Sequence, residues 1–217
     1  ALLDADVNYK VVKEFVNNVK NKAIRIYLKK APTDLISLNI KKDQSAKILD
    51  KCISFYNYEI VVNDDLSLSI FKDHQLLFCF HHAITKFNNE DYYEHYFDLS
   101  SISYVYGLGD KVNNLNKKGY SYTQWNKDND THHDELCPCL YKSINYLLVY
   151  SNSSFVGLFY PSTYPYEVDI AKEIPDRVSV KNKYVDCDYF LFLGDIRQIT
   201  SSYSSIVGKP YFIRLKM

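Results

Sequence analysis

A chain of 217 residues balances 26 lysines and arginines against 26 aspartates and glutamates, so it has no net basic charge of the kind that attracts nucleic acid or an anionic membrane. The length suits one large β-sandwich, able to bury a core without disulfide or metal staples. Five cysteines at irregular spacing (Cys52, Cys79, Cys137, Cys139, Cys187) point to reduced thiols and a cytoplasmic setting, and no apolar run approaches the ~20 residues of a membrane span.

Residues 1–22 read as an N-terminal extension, strand or short helix: Val11, Val12, Phe15, Val16 and Val19 recur at helical spacing, yet β-branched valines are poor helix formers. Strand signals then dominate to residue 195. Ile24, Ile26 and Leu28 alternate, as do Leu66, Leu68 and Ile70. The polar tract 111–135 reads as one long connection, and loops of that length are usually functional or disordered. Residues 146–160 read as a hairpin across a four-residue polar loop, Ser151 to Ser154. Val185, Cys187, Tyr189, Leu191 and Leu193 share one face, while Asp186, Asp188, Phe190 and Phe192 take the other; the turn to apolar residues on both faces predicts a strand entering a covered interior. Asp195 then caps a helix whose stripe is Ile196, Ile199, Tyr203 and Ile206, and Gly208 with Pro210 stop it; residues 196–217 are helix and linker. Short strands without alternating helices predict an all-β, antiparallel β-sandwich with a short C-terminal helix.

The chemistry-bearing motifs are few. Gly107-Leu108-Gly109 lacks the third glycine and following helix of a dinucleotide site, so both glycines read as positions of positive φ or close backbone approach. His132-His133 with Cys137 and Cys139 misses zinc spacing, because only Pro138 separates the cysteines; no metal or cofactor is expected. His81, His82 and His95 read as surface or packed imidazoles. Asp169 and Glu173 lie on a strand-like, solvent-leaning stretch with nothing to make them converge, so no catalytic residue is assigned. Taken alone, Asp128 would cap a turn, and Trp125 would be core or a platform for a pyranose ring. The 21 tyrosines accompany many Lys, Asn, Ile and Phe, so AT-rich codons account for them as well as a sugar-stacking surface does.

In order and spacing, VYGLGDK, YTQWNKDND, LYKSINYLLVYSNSSFVGLFY and GDIRQITSSYSSIVGKPYF resemble the N-terminal region of family 31 glycoside hydrolases, the α-glucosidase family, over residues 20 to 213. Family members usually carry glutamate after the second glycine, where this chain has Asp110. The resemblance implies a galactose-mutarotase-like sandwich preceding a (β/α)8 catalytic barrel. It also implies a loop, Trp125 to Asp130, that reaches the barrel mouth, with Asp128, Trp125 and Asn126 binding an α-glucoside together with that barrel. Both catalytic carboxylates of such an enzyme would sit on the barrel. The chain starts on Ala1 and ends on its single methionine, Met217, and so reads as a fragment, inactive alone and prone to self-association through the face a barrel would cover. A stand-alone mutarotase-like isomerase and a carbohydrate-binding module are the competing readings.

Overall fold

A computed structural model describes residues 47–49, 51–87, 90–128, 134, 137, 139–161, 164–183 and 189–208. The valine repeat at 11–19, the alternation at 24–28, residues 185–188, His132, His133 and the stretch after Gly208 lie outside those residues.

The described strands form two antiparallel sheets. The larger has nine strands: β1 (Lys47–Leu49), β2 (Cys52–Phe55), β3 (Tyr58–Val62), β4 (Leu68–Lys72), β5 (Gln75–Phe87), β6 (Glu90–Asp98), β12 (Arg177–Asn182), β11 (Tyr166–Ile170) and β8 (Tyr120–Gln124), in that spatial order. The smaller is β13 (Phe190–Gly194), β10 (Ser154–Phe159), β9 (Ser143–Ser151) and β7 (Tyr104–Gly109). Period-two patterning sets the inner faces: Tyr58, Ile60 and Val62 on β3, Tyr166, Val168 and Ile170 on β11, and Val105, Leu147, Val149, Val156 and Leu158 on the smaller sheet all join one core. Phe80 and Phe97, both fully buried, meet edge to face at 5.0 Å between ring centroids. Truncating either to alanine would cost about 3–5 kcal/mol.

The core also holds polar rings. His95 on β6 is fully buried opposite His82 on β5; the two rings stack at 5.0 Å, and Tyr189 stacks on His95 at 4.2 Å. The Tyr160 hydroxyl lies 2.6 Å from His95 Nδ1, while His95 Nε2 has no hydrogen-bond partner among the described residues.

The helix α1 (Ile196–Val207) lies on the outer face of the smaller sheet. Asp195 accepts from Arg197 N–H and Gln198 N–H, both at 2.8 Å, and the Gln198 side chain accepts from Asp195 N–H at 2.9 Å, a complete capping box. Ile199 and Ile206 pack on Phe190 and Phe192, and Tyr203 stacks on Tyr146 at 4.2 Å. The strand ahead of this helix is therefore covered on both faces, as its sequence predicts: Tyr189, Leu191 and Leu193 meet the sandwich core, and Phe190 and Phe192 meet the helix.

Four expectations change. Leu66 is a half-exposed turn residue at φ 66°, because the Asp65 carboxylate accepts from both Ser67 N–H and Ser67 O–H and fixes a turn there; β4 starts at Leu68. The β9–β10 hairpin turns on two residues, Asn152 and Ser153, both at positive φ, while Ser151 and Ser154 pair in the ladder. The tract 111–135 is not one connection, since β8 crosses it as the edge strand beside β11. Its alternation is faint in the sequence because the inward residues are Tyr122 and Gln124 rather than aliphatics. Ile196 does not join the buried stripe and stays half exposed at the first turn.

Candidate functional site: a loop pinned beside a strand bulge

At Gly107-Leu108-Gly109 the β7–β9 ladder slips, so that one residue of β7 lies between the pairs Gly107↔Leu147 and Gly109↔Ser143, against three of β9. Three successive residues take positive φ: Gly107 at 114°, Leu108 at 69° and Gly109 at 80°. A Cβ on Gly107 would overlap the Tyr146 carbonyl oxygen, and one on Gly109 the Lys142 carbonyl oxygen. Both glycines are thus required by backbone sign and by close approach together. Leu108 buries its side chain in the core, which offsets the cost of about 1–2 kcal/mol of holding a non-glycine residue in the left-handed region.

The bulge hands the chain to Asp110, whose N–H donates to Lys142 O at 2.8 Å, and then to Lys111. The Lys111 ammonium is half-buried between the two sheets and donates to Thr123 O at 3.1 Å and to Ser143 Oγ at 2.9 Å. Burial strips its water and lowers its pKa to about 8, a shift opposed by Cys139, Cys137 and Asp110 nearby. Ser143 passes the connection on: its hydroxyl donates to Trp125 O at 2.9 Å, and its N–H donates to Asn126 Oδ1 at 2.7 Å. Lys127 N–H reaches Leu140 O at 3.4 Å.

These contacts pin the start of the loop 125–128 to the first residues of β9. Trp125 is 48% exposed and so is not core packing. Asn126 is exposed and spends its side-chain oxygen on Ser143 N–H. Asp128 is exposed and makes no hydrogen bond or ion pair among the described residues. The structure brings Trp125 and Asn126 together on one Ser143, and Asp128 follows them as an exposed side chain. Lys111 and Ser143 were not singled out from sequence, although both sit inside the quoted GLGDK and LYKSIN segments. A lysine that turns inward leaves no periodic trace.

A second polar group lies on the outer face of the larger sheet. Asp169 is 7% exposed rather than solvent-leaning; it accepts from Ser121 O–H, and from Lys172 N–H and Glu173 N–H at 3.2 Å. Asp169 and Glu173 do converge, lining a cavity of about 210 Å³ with Glu167, Lys172 and Lys181, and Glu173 pairs with Lys181 at 3.2 Å. The misreading came from the turn after β11: Ala171 takes a φ of 58°, which folds residues 172 and 173 back over Asp169. The carboxylate is occupied as a turn anchor. His82 and His95 face the sandwich interior, with His95 out of reach of any solute.

Two facing antiparallel sheets, a helix on the smaller one and a polar loop at the edge strand of the larger define a β-sandwich domain with its functional candidates on the rim. The chain belongs to the glycosyl hydrolase 31 N-terminal galactose mutarotase-like domain family, whose model matches residues 10–169. Alpha-glucosidase 2 of Bacillus thermoamyloliquefaciens is 27% identical over 112 residues, 51% of this chain and 14% of that enzyme. In fold, the chain resembles the Flavobacterium johnsoniae GH31 dextranase solved with isomaltotriose (TM-score 0.64, 24% identity, 88% of this chain and 23% of that one). It also resembles the cycloalternan-forming enzyme of Listeria monocytogenes solved with a pentasaccharide substrate (TM-score 0.66, 16% identity, 82% and 18%). The chain therefore spans less than a quarter of each of these proteins.

Proposed function

We propose that this chain is the non-catalytic sandwich of an α-glucoside-acting hydrolase, packing on a (β/α)8 barrel and lending the loop 125–128 to the sugar pocket. Asp128 is the principal contact: an exposed carboxylate accepts hydrogen bonds from vicinal hydroxyls at a wet rim without the cost of desolvating a charge in an apolar interior. Trp125 offers a broad apolar face beside it. The observation that carries this reading is an exposed carboxylate, Asp128, on a loop whose start is fixed by Lys111, Ser143 and Asn126. Relatives named alpha-glucosidase and dextranase support the same direction, while another is named alpha-xylosidase.

The test is Asp128→Asn in a full-length protein containing this segment. Loss of charge-assisted bonds to the sugar raises KM for an oligosaccharide roughly tenfold. The 217-residue chain alone leaves an aryl α-glucoside intact. An unchanged KM across α-glucosides removes Asp128 from the pocket, and enzyme-like cleavage by the isolated chain removes the whole reading.

A further inference from the structure

We propose that Lys111 is a positioning residue for the loop 125–128, and that its protonation state governs how firmly the loop holds its sugar-facing posture. For the sugar this rests on the preceding reading; for the loop it stands on contacts alone. The Lys111 side chain bridges the two sheets, with one N–H on the β8 carbonyl of Thr123 and one on the hydroxyl of Ser143, the first residue of β9. Thr123 lies on β8 two residues ahead of Trp125, the first residue of the loop, and Ser143 holds Trp125 O and Asn126 Oδ1 directly. A single ammonium thus fixes both the strand that enters the loop and the residue that grips its base.

Such bonds are charge-assisted, and a neutral amine makes weaker ones with one fewer N–H. Burial places the change from ammonium to amine within reach of mildly alkaline solution, at a pKa of about 8. The charged and titratable groups around this ammonium are Asp110 on its own segment, Lys117 ahead of β8, and Cys137 and Cys139 ahead of β9. The Tyr122 hydroxyl of β8 is turned to Val112 O. Thr123 and Ser143 present an uncharged carbonyl and hydroxyl. None of these supplies an ion pair strong enough to keep the ammonium charged to its ordinary range.

Trp125 is the only tryptophan of the chain, so its emission reports this loop and nothing else. The experiment follows Trp125 emission in the 217-residue chain between about pH 7 and pH 9, below the range where tyrosinates form. In the native chain the maximum moves to the red by several nanometres, with a midpoint near the Lys111 value. Lys111→Arg keeps its charge throughout and holds the low-pH emission. Lys111→Met holds the high-pH emission, and if it fails to fold, Lys111→Arg alone decides. A flat native profile, or a transition that persists in either folded variant, overturns the proposal. Titrating isomaltotriose into the full-length forms separates the two readings: if sugar affinity ignores Asp128 while the pH response follows Lys111, the sugar assignment fails and the positioning role stands.

Discussion

At the scale of single residues, the glycine pair of the β7 bulge is explained by geometry alone. Gly109 takes a φ of 80°, and a Cβ there would meet Lys142 O and approach Ile144 N to 2.7 Å. Gly109→Ala adds backbone strain of about 1–2 kcal/mol to an overlap that only strand movement relieves. The variant loses at least about 2 kcal/mol in urea unfolding, with an unchanged dependence on denaturant. A shift under half that size would mean that β9 yields easily. The same variant displaces Lys111, so its Trp125 emission resembles that of Lys111→Met even where it stays folded. Local grammar made the glycines legible; the lysine two residues on was not, because the direction of a side chain after three left-handed residues depends on the partner strand.

At the scale of elements, α1 is the most self-specified part of the chain. Asp195→Ala removes two hydrogen bonds at the N-cap and costs about 1 kcal/mol, lowering the melting temperature by roughly 2–4 °C. Asp195→Asn retains an acceptor and recovers most of the loss, and equal melting of all three proteins would show that the cap is idle. The helix was readable because capping residue, apolar spacing and stop signal lie within one short segment, and β13 because apolar residues occupy both its faces. The hairpin at Asn152-Ser153 was placed correctly but given too long a loop, since polar Ser151 and Ser154 look like turn residues and in fact pair. β8 was missed for a related reason: its inner residues, Tyr122 and Gln124, carry polar atoms, and only β11 reveals which face is inside. Of the candidate site, Trp125, Asn126 and Asp128 were found through family resemblance, while the network beneath them joins residues far apart in the chain.

At the scale of the whole molecule, the two sheets close over imidazoles that must stay neutral. Burial lowers the pKa of His82 to about 4 and pushes that of His95 well below its ordinary value. In the unfolded chain both titrate near pH 6.5, so below about that pH the unfolded state binds protons that the folded state refuses. Stability is thus fully present above about pH 6.5 and falls with acidity, by up to about 1.4 kcal/mol per pH unit for each histidine, ahead of most carboxylate titration. Urea midpoints measured at intervals between about pH 7 and pH 5 should show this slope. His82→Phe should roughly halve it, and an identical slope in that variant would assign the acid sensitivity elsewhere. Among the described residues the larger sheet also ends on β8, and an outermost strand normally offers its carbonyls to any passing backbone. Here the Thr123 carbonyl is already claimed by a charged head group, so an incoming strand meets a cation instead of an acceptor. Such a cation blunts the edge against templated growth into fibrils.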